Sequence, residues 1–149
     1  MAQRSFHLYS VVPVEPESAI DFLTDLARHR GLHPYLEEAV VTEEGDSDAG
    51  HWQQWRIRER PALGSFHYPL RFGARLTRTS PTTHTTSVLA APGCTIDAVT
   101  HARLGDTLGI ADVDEQSVVT APAPLLSYMA HHAELAHARV FRLLPAVLG

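Results

Sequence analysis

The order of its segments constrains this chain most, because a run of strand-like segments is followed by one long amphipathic helix. The helix is predicted within Ala121–Leu148. Pro124 suits its first turn, and Pro145 is expected to stop it near Leu144. About 21 helical residues, roughly 31 Å, would remain. An antiparallel sheet that precedes a single long helix is expected to fold around it and to leave a hollow between them, where a ligand would bind.

Hydrophobic periodicity predicts seven strands, with two short helices after the first. A helix is predicted over residues 16–29, and Leu32–Leu36 is predicted to form a short second helix or helical turn. The strongest alternation places apolar side chains on one face and polar ones on the other, as in an antiparallel sheet with one buried face. The predicted strands are Ser5–Val12, Glu37–Glu43, His51–Arg60, Ser65–Thr77, His84–Ala91, Cys94–Leu104 and Ile110–Thr120.

Composition excludes several classes of protein. The 149 residues suit a single domain over positions 1–149, and no apolar run is long enough for a membrane span. A net charge of −5 disfavours a nucleic-acid partner. Cys94 is the one cysteine and is expected to be a buried thiol, and the absence of lysine excludes Schiff-base chemistry. A start without a secretory signal predicts a cytoplasmic protein, and the abundant Ala, Arg and Pro are typical of bacteria.

The predicted inner stripe of the final helix is bulky at its C-terminal end and small in its middle. Ala133 and Ala136 would leave a gap that either large sheet residues or a ligand must fill. Met129 and His132 stand at the border of this gap. The whole stripe is Leu125, Met129, His132, Ala133, Ala136, Val140, Leu143 and Leu144.

The ten histidines raise the question of a metal site. His132 and His137 are five positions apart, about 140° around a helix, and are therefore not expected to share one ion. We predict no metal site. His132 is retained as a candidate pocket residue because its stripe faces the hollow.

Glu115 is the carboxylate of most interest. It shares a strand face with Val113, Ser117 and Val119, and if that face is inward, its pKa would be raised and it would serve as an acid or base. The opposite parity would turn Asp112, Asp114 and Gln116 inward instead. Tentative catalytic residues are Glu115, His132 and Tyr68.

Two neighbouring strands carry an aromatic and aliphatic face that is either plain core or the wall of a binding site. The arginines at 56, 58, 60, 71 and 75 fall on the opposite, solvated face. Predicted ligand-binding residues are Trp55, Ile57, Phe66, Tyr68, Leu70, Phe72, Ser117, Met129, His132, Ala133 and Ala136.

With these elements in place the chain resembles the SRPBCC superfamily, the START-like and polyketide cyclase/dehydrase-like helix-grip proteins. The resemblance spans the chain and rests on diffuse patterns. They are the Phe6–Val12 strand, the segment Phe22–Leu26 followed by Leu32-His33-Pro34, and the ending from Glu115 through Ala121-Pro122 to Ala136-His137. It implies an α+β fold in which a curved seven-stranded antiparallel sheet grips the C-terminal helix around a hydrophobic cavity, with no cofactor.

The resemblance implies three functions in competition. The first is binding of a hydrophobic small molecule, such as a lipid, polyketide or aromatic. The second is a polyketide cyclase or dehydratase acting on a carrier-bound poly-β-ketone, with an acyl carrier protein as partner. The third is a protein-interaction module whose own side chains fill the cavity. No arginine falls on the predicted inner faces, which departs from the pattern expected of an aromatase.

Overall fold

The computed structural model describes residues 1–33, 35–60, 62, 63, 66, 67, 69–91 and 93–149, with the backbone alone at 62, 63, 66 and 67. Its elements follow the predicted order of one strand, short helices, a run of strands and a long helix. They are β1 (Ala2–Val12), α1 (Pro16–Thr24), a 3₁₀ helix (Leu26–His29), β2 (Leu36–Ser47), β3 (Gly50–Glu59), β4 (Ala62–Leu63), β5 (Phe66–His67), β6 (Leu70–Ser80), β7 (Thr83–Ala91), β8 (Cys94–Leu104), β9 (Ala111–Ala121) and α2 (Ala123–Leu148).

Seven of the described strands form one antiparallel sheet in the order β1-β9-β8-β7-β6-β3-β2. The short strands β4 and β5 pair only with each other. Each strand from β6 to β9 pairs with the next along the chain, whereas β1 pairs with β9. This sheet, with the two short helices and α2, is the helix-grip fold predicted from the sequence.

The alternation along the strands decides which side chains face α2. Every odd-numbered residue of β9 from Ala111 to Ala121 is buried, and the even-numbered ones are partly or fully exposed. Trp55, Ile57 and Glu59 of β3 are buried on the same inner side of the sheet, while Arg56 is exposed. The inner face is therefore the one predicted to carry Glu115.

The helix α2 continues past Pro145 to Leu148, so the predicted stop near Leu144 is wrong. A proline lacks the N–H that would bond the carbonyl four residues earlier, here that of Phe141. The hydroxyl of Ser10, on β1, donates a buried hydrogen bond of 3.0 Å to that carbonyl. A neighbouring strand thus satisfies the acceptor that the proline leaves open, and the helix keeps a further turn.

The first helical region is shorter than predicted. The helix α1 ends at Thr24, and a separate 3₁₀ helix follows over Leu26–His29, so the predicted single helix over 16–29 is wrong. The predicted helical turn at Leu32–Leu36 is also wrong, because Leu36 already begins β2. Apolar spacing continues through residues 20–27, but it does not report the break in the backbone at Asp25, whose ψ of 83° is not helical.

The core divides into three clusters that surround an open interior. The first joins α1 and the end of α2 to β9, the second lies on β2, β3 and β6, and the third joins β1 and β9 to the start of α2. Leu144 is fully buried in the first cluster, as expected of an anchor, and Cys94 is a buried free thiol. Among the described residues, no helix is both long and apolar enough to cross a membrane.

Candidate functional site

A cavity of about 260 Å³ lies between the inner face of the sheet and α2. Its wall is mostly aliphatic and aromatic, and the small side chains of Ala133 and Ala136 leave its helical side open. Apolar residues of this wall include Leu23, Leu26, Leu36, Ile57, Leu70, Phe72, Ala74, Leu76, Val88, Ile96, Met129, Ala133, Ala136, Val140 and Phe141. The void predicted between sheet and helix is therefore present and is not filled by these side chains.

The polar groups of the wall centre on Glu115. Its Oε1 accepts hydrogen bonds from the hydroxyl of Ser117 at 2.8 Å and from Nδ1 of His137 at 2.6 Å. Glu115 is 6% exposed, and 26% of the His137 side chain is exposed. The carboxylate on β9 and the imidazole on α2 thus form an ion pair that bridges sheet and helix.

The two members of this pair stabilise each other's charge. Burial alone would raise the pKa of Glu115, but the charge and hydrogen bond of His137 and the bond from Ser117 outweigh it and lower that pKa below its ordinary value. Burial alone would lower the pKa of His137, but the adjacent Glu115 carboxylate outweighs it and raises that pKa. The raised pKa predicted for Glu115 is therefore wrong, and the two shifts favour the ionised carboxylate and the protonated imidazole.

Two further polar residues continue from Glu115 across the sheet. Thr100 of β8 lies opposite Glu115, and His84 of β7 lies opposite Thr100, so the three occupy aligned positions on adjacent strands. All three are buried and line the cavity. Burial lowers the pKa of His84 to about 4, so its ring is neutral and offers one donor and one acceptor.

A second carboxyl group, that of Glu59, lies at the end of β3. It is 8% exposed, and burial raises its pKa to about 7. Nδ1 of His33 is 4.0 Å from Glu59 Oε2, and burial lowers the pKa of that imidazole to about 3. The His33 ring is therefore neutral and does not compensate a charge on Glu59.

Most predicted site residues lie at the cavity, but not all. Those that line it are Glu115, Ile57, Leu70, Phe72, Met129, His132, Ala133 and Ala136. Trp55 is instead buried in the core cluster of β2, β3 and β6, and Ser117 is buried beside Glu115 without lining the cavity. Tyr68 and the side chain of Phe66 lie outside the described residues.

Sequence reasoning missed several ionisable groups of the wall, namely Glu59, His137, His84, His29 and His33. The alternation that buried Trp55 and Ile57 also pointed Glu59 inward, so a signal for it existed. His137 was not predicted as a pocket residue, because it lies outside the inner stripe that carries His132. The separation of five positions between His132 and His137 excludes a shared metal ion. Both histidines nevertheless line the cavity, because it extends around more of α2 than one row of side chains.

The cavity has few positive charges. Among the described residues, no arginine lines it, and no group of three or more His, Cys, Asp or Glu is arranged to hold a metal ion. The stable charges on its wall are those of the Glu115–His137 pair. The arrangement suits an apolar ligand that places a polar group against the carboxyls and imidazoles.

Comparisons with known proteins identify the fold. No family model and no curated protein sequence matches the chain. Among solved structures, the Zhui aromatase/cyclase from Streptomyces sp. R1128 is similar with a TM-score of 0.70 and 15% identity, over 99% of this chain and 93% of that one. Ara h 8.0201 is similar with a TM-score of 0.69 and 14% identity, over 99% and 98%.

The di-domain aromatase/cyclase StfQ of the steffimycin pathway has a TM-score of 0.75 and 10% identity, over 98% of this chain and 50% of that chain. This chain therefore spans about half of StfQ. These similarities confirm the predicted helix-grip fold. At these identities the similarity establishes the architecture alone.

Proposed function

We propose that this protein binds a hydrophobic small molecule, a lipid, polyketide or aromatic, in the cavity between its sheet and α2. The observation that supports the proposal is the cavity itself, a void of about 260 Å³ with a mostly apolar wall and a few convergent polar groups. Ligand sites are commonly clefts of this composition with volumes of about 300–1,000 Å³. The volume is slightly below that range, which favours a compact aromatic or a medium-length chain.

The proposal is tested by looking for a ligand that stays bound during purification and by adding candidate ligands to the purified protein. Native mass spectrometry of the purified protein should show a bound small molecule, or a panel of aromatic and medium-chain ligands should raise its denaturation midpoint. Ala136→Leu places a larger side chain in the cavity and should abolish that rise. Ala138→Leu, on a half-buried helix position that does not line the cavity, is the matched control and should leave it intact. No retained ligand and no shift with any member of the panel would contradict the proposal.

A second candidate is a polyketide cyclase or dehydratase. The specific observation in its favour is the Glu115–His137 pair, which places a carboxylate and an imidazolium at the cavity wall. Such groups can remove a proton from an activated carbon and deliver one to an oxygen. We propose Glu115 and His132 as catalytic residues, with His137 as the partner that holds the Glu115 carboxylate, and Tyr68 remains a candidate. The polyketide would arrive on an acyl carrier protein.

The enzymatic proposal is tested with a carrier-bound or thioester-activated poly-β-ketone. Glu115→Gln and His132→Ala should abolish cyclised product while the circular dichroism spectrum is retained. An unchanged product profile in both variants would show that neither residue is catalytic. The proposal of an interaction module with a filled cavity is disfavoured by the void beneath α2.

A further inference from the structure

The described wall of the cavity carries more acidic groups than protonated basic groups. Two carboxyl groups, those of Glu59 and Glu115, lie on it, and one imidazole, that of His137, pairs with Glu115, which favours its protonated form. The chain contains no lysine, and within the described residues no arginine reaches the cavity. When both carboxyls are ionised, the wall therefore carries one negative charge in excess.

The His137 charge is already matched by Glu115. Its Nδ1 is 2.6 Å from Glu115 Oε1, and a hydroxyl group from Ser117 reaches the same oxygen. Glu59 has no comparable partner: among the described residues, the one basic group within ion-pair distance is Nδ1 of His33, at 4.0 Å from Oε2. The His33 Nδ1 atom itself is buried and makes no hydrogen bond. The excess charge is thus located at Glu59.

The neighbouring arginines do not supply the missing charge. Arg58 and Arg60 alternate to the outer face of the sheet, where they pair with Glu37 and Glu38 at 3.5–3.9 Å. On α2, Arg139 donates to the carbonyl of Gly31. Among the described residues that line the cavity, the other titratable groups around Glu59 are Tyr35, the neutral rings of His29 and His33, and His137, whose charge lowers the pKa of Glu59 by less than burial raises it.

We infer that the cavity selects an apolar ligand carrying a basic amine, with the ammonium group against the Glu59 carboxylate and the hydrocarbon against the wall formed by Ile57, Leu70 and Phe72. This inference rests on the proposed binding function and specifies its ligand class. An ammonium ion has hydrogens to donate to both Glu59 oxygens and to the unpartnered side of His33. A ligand carboxylate would instead face two carboxyls, with the one imidazolium already paired.

The test compares three ligands that share an eight-carbon chain: octylamine, octanol and octanoate. Isothermal titration calorimetry at pH 8 should give octylamine about tenfold tighter binding than octanol, which corresponds to about 1.4 kcal/mol. Octanoate should bind more weakly than octanol. At pH 5.5, where the Glu59 carboxyl is protonated in the free protein, the advantage of octylamine should shrink because binding must first displace that proton.

Glu59→Gln should remove the advantage of octylamine over octanol. Glu134→Gln, which removes the same charge from an exposed position of α2, should retain the advantage and so controls for net charge. Equal binding of octylamine and octanol at pH 8, an advantage that survives in Glu59→Gln, or tighter binding of octanoate would each overturn the amine inference while leaving the cavity function in place. Binding of none of the three would overturn both.

Discussion

Two carboxyl groups on one inner face differ in how they hold a proton. Burial acts on both, but Glu115 has a charged partner and a hydroxyl, whereas Glu59 has neither among the residues that the structure describes. The pKa of Glu115 is consequently lowered, and that of Glu59 is raised to about 7. The difference shows that the partner of a buried acid, more than its depth, decides its charge.

Glu59 should make the folded protein less stable at alkaline pH. Its carboxyl ionises near pH 4.5 when exposed and near 7 when folded, so between these values the native state binds more protons and the free energy of unfolding falls as pH rises. Glu59→Gln should therefore raise the unfolding free energy by up to about 3 kcal/mol at pH 8 and hardly change it at pH 4. Urea denaturation at the two pH values measures this, and an equal effect at both would contradict the assignment.

The Glu115–His137 pair should stabilise the fold most within a limited pH range. The lowered pKa of Glu115 contributes stability above its ordinary value of 4.5 that is lost as pH falls, and the raised pKa of His137 contributes stability below 6.5 that is lost as pH rises. Glu115→Gln should thus cost about 2 kcal/mol at pH 5.5 and less at pH 9. Denaturant unfolding of this variant and of Glu134→Gln, which should change little, provides the comparison. An equal loss of unfolding free energy at both pH values would indicate that Glu115 stabilises the fold by its packing and not by its charge.

At the scale of elements, sequence periodicity predicted the seven strands of the sheet but not how its helices end. Burial alternates strictly along β9, so the sequence left only two possible inward faces, and one of them carries Glu115. The end of α2 could not be predicted from the local sequence. The hydrogen bond that lets the helix continue past Pro145 comes from Ser10, more than a hundred residues earlier in the chain. A local rule about proline cannot include a partner that only the tertiary structure supplies.

The Ser10 hydroxyl should matter only because of that proline. Ser10→Ala leaves the Phe141 carbonyl buried without a donor and should cost about 1–2 kcal/mol of unfolding free energy. In a Pro145→Ala background the backbone N–H of residue 145 becomes available to this carbonyl, so the same substitution should cost measurably less. A double-mutant cycle by urea denaturation isolates the coupling. Equal costs in the two backgrounds would show that the serine stabilises the fold in another way.

At the scale of the whole molecule, the sequence predicted a sheet, a helix and a void between them, but not the polar content of that void. The wall draws ionisable groups from the 3₁₀ helix, β3, β7, β9 and α2. Their convergence depends on the order of strands in the sheet, which strand periodicity does not contain. Alternation along β3 and β9 indicated the inward positions of Glu59 and Glu115, whereas their meeting with His137 at one cavity depends on the strand order.

Replacement by a larger side chain should affect two alanines of α2 in opposite ways. Ala136 lines the cavity, whereas Ala130 is 2% exposed in a packed cluster and does not line it. Ala136→Leu should be tolerated or mildly stabilising, because there is space to fill, and Ala130→Leu should cost about 1–3 kcal/mol by overpacking. Thermal and urea denaturation of both variants distinguish these outcomes. A similar loss in the two variants would mean that the space beneath Ala136 is closed in solution.

The pairing of β1 with β9 has a consequence for how the protein is made. The strand β1 lies at one edge of the sheet, and its hydrogen-bonding partner, β9, follows it in the chain only after all the other strands of the sheet. Until β9 has been synthesised, β1 has no partner in the sheet, and contacts so distant along a chain form slowly. The space between sheet and helix is therefore enclosed only after β9 and α2 have both been synthesised.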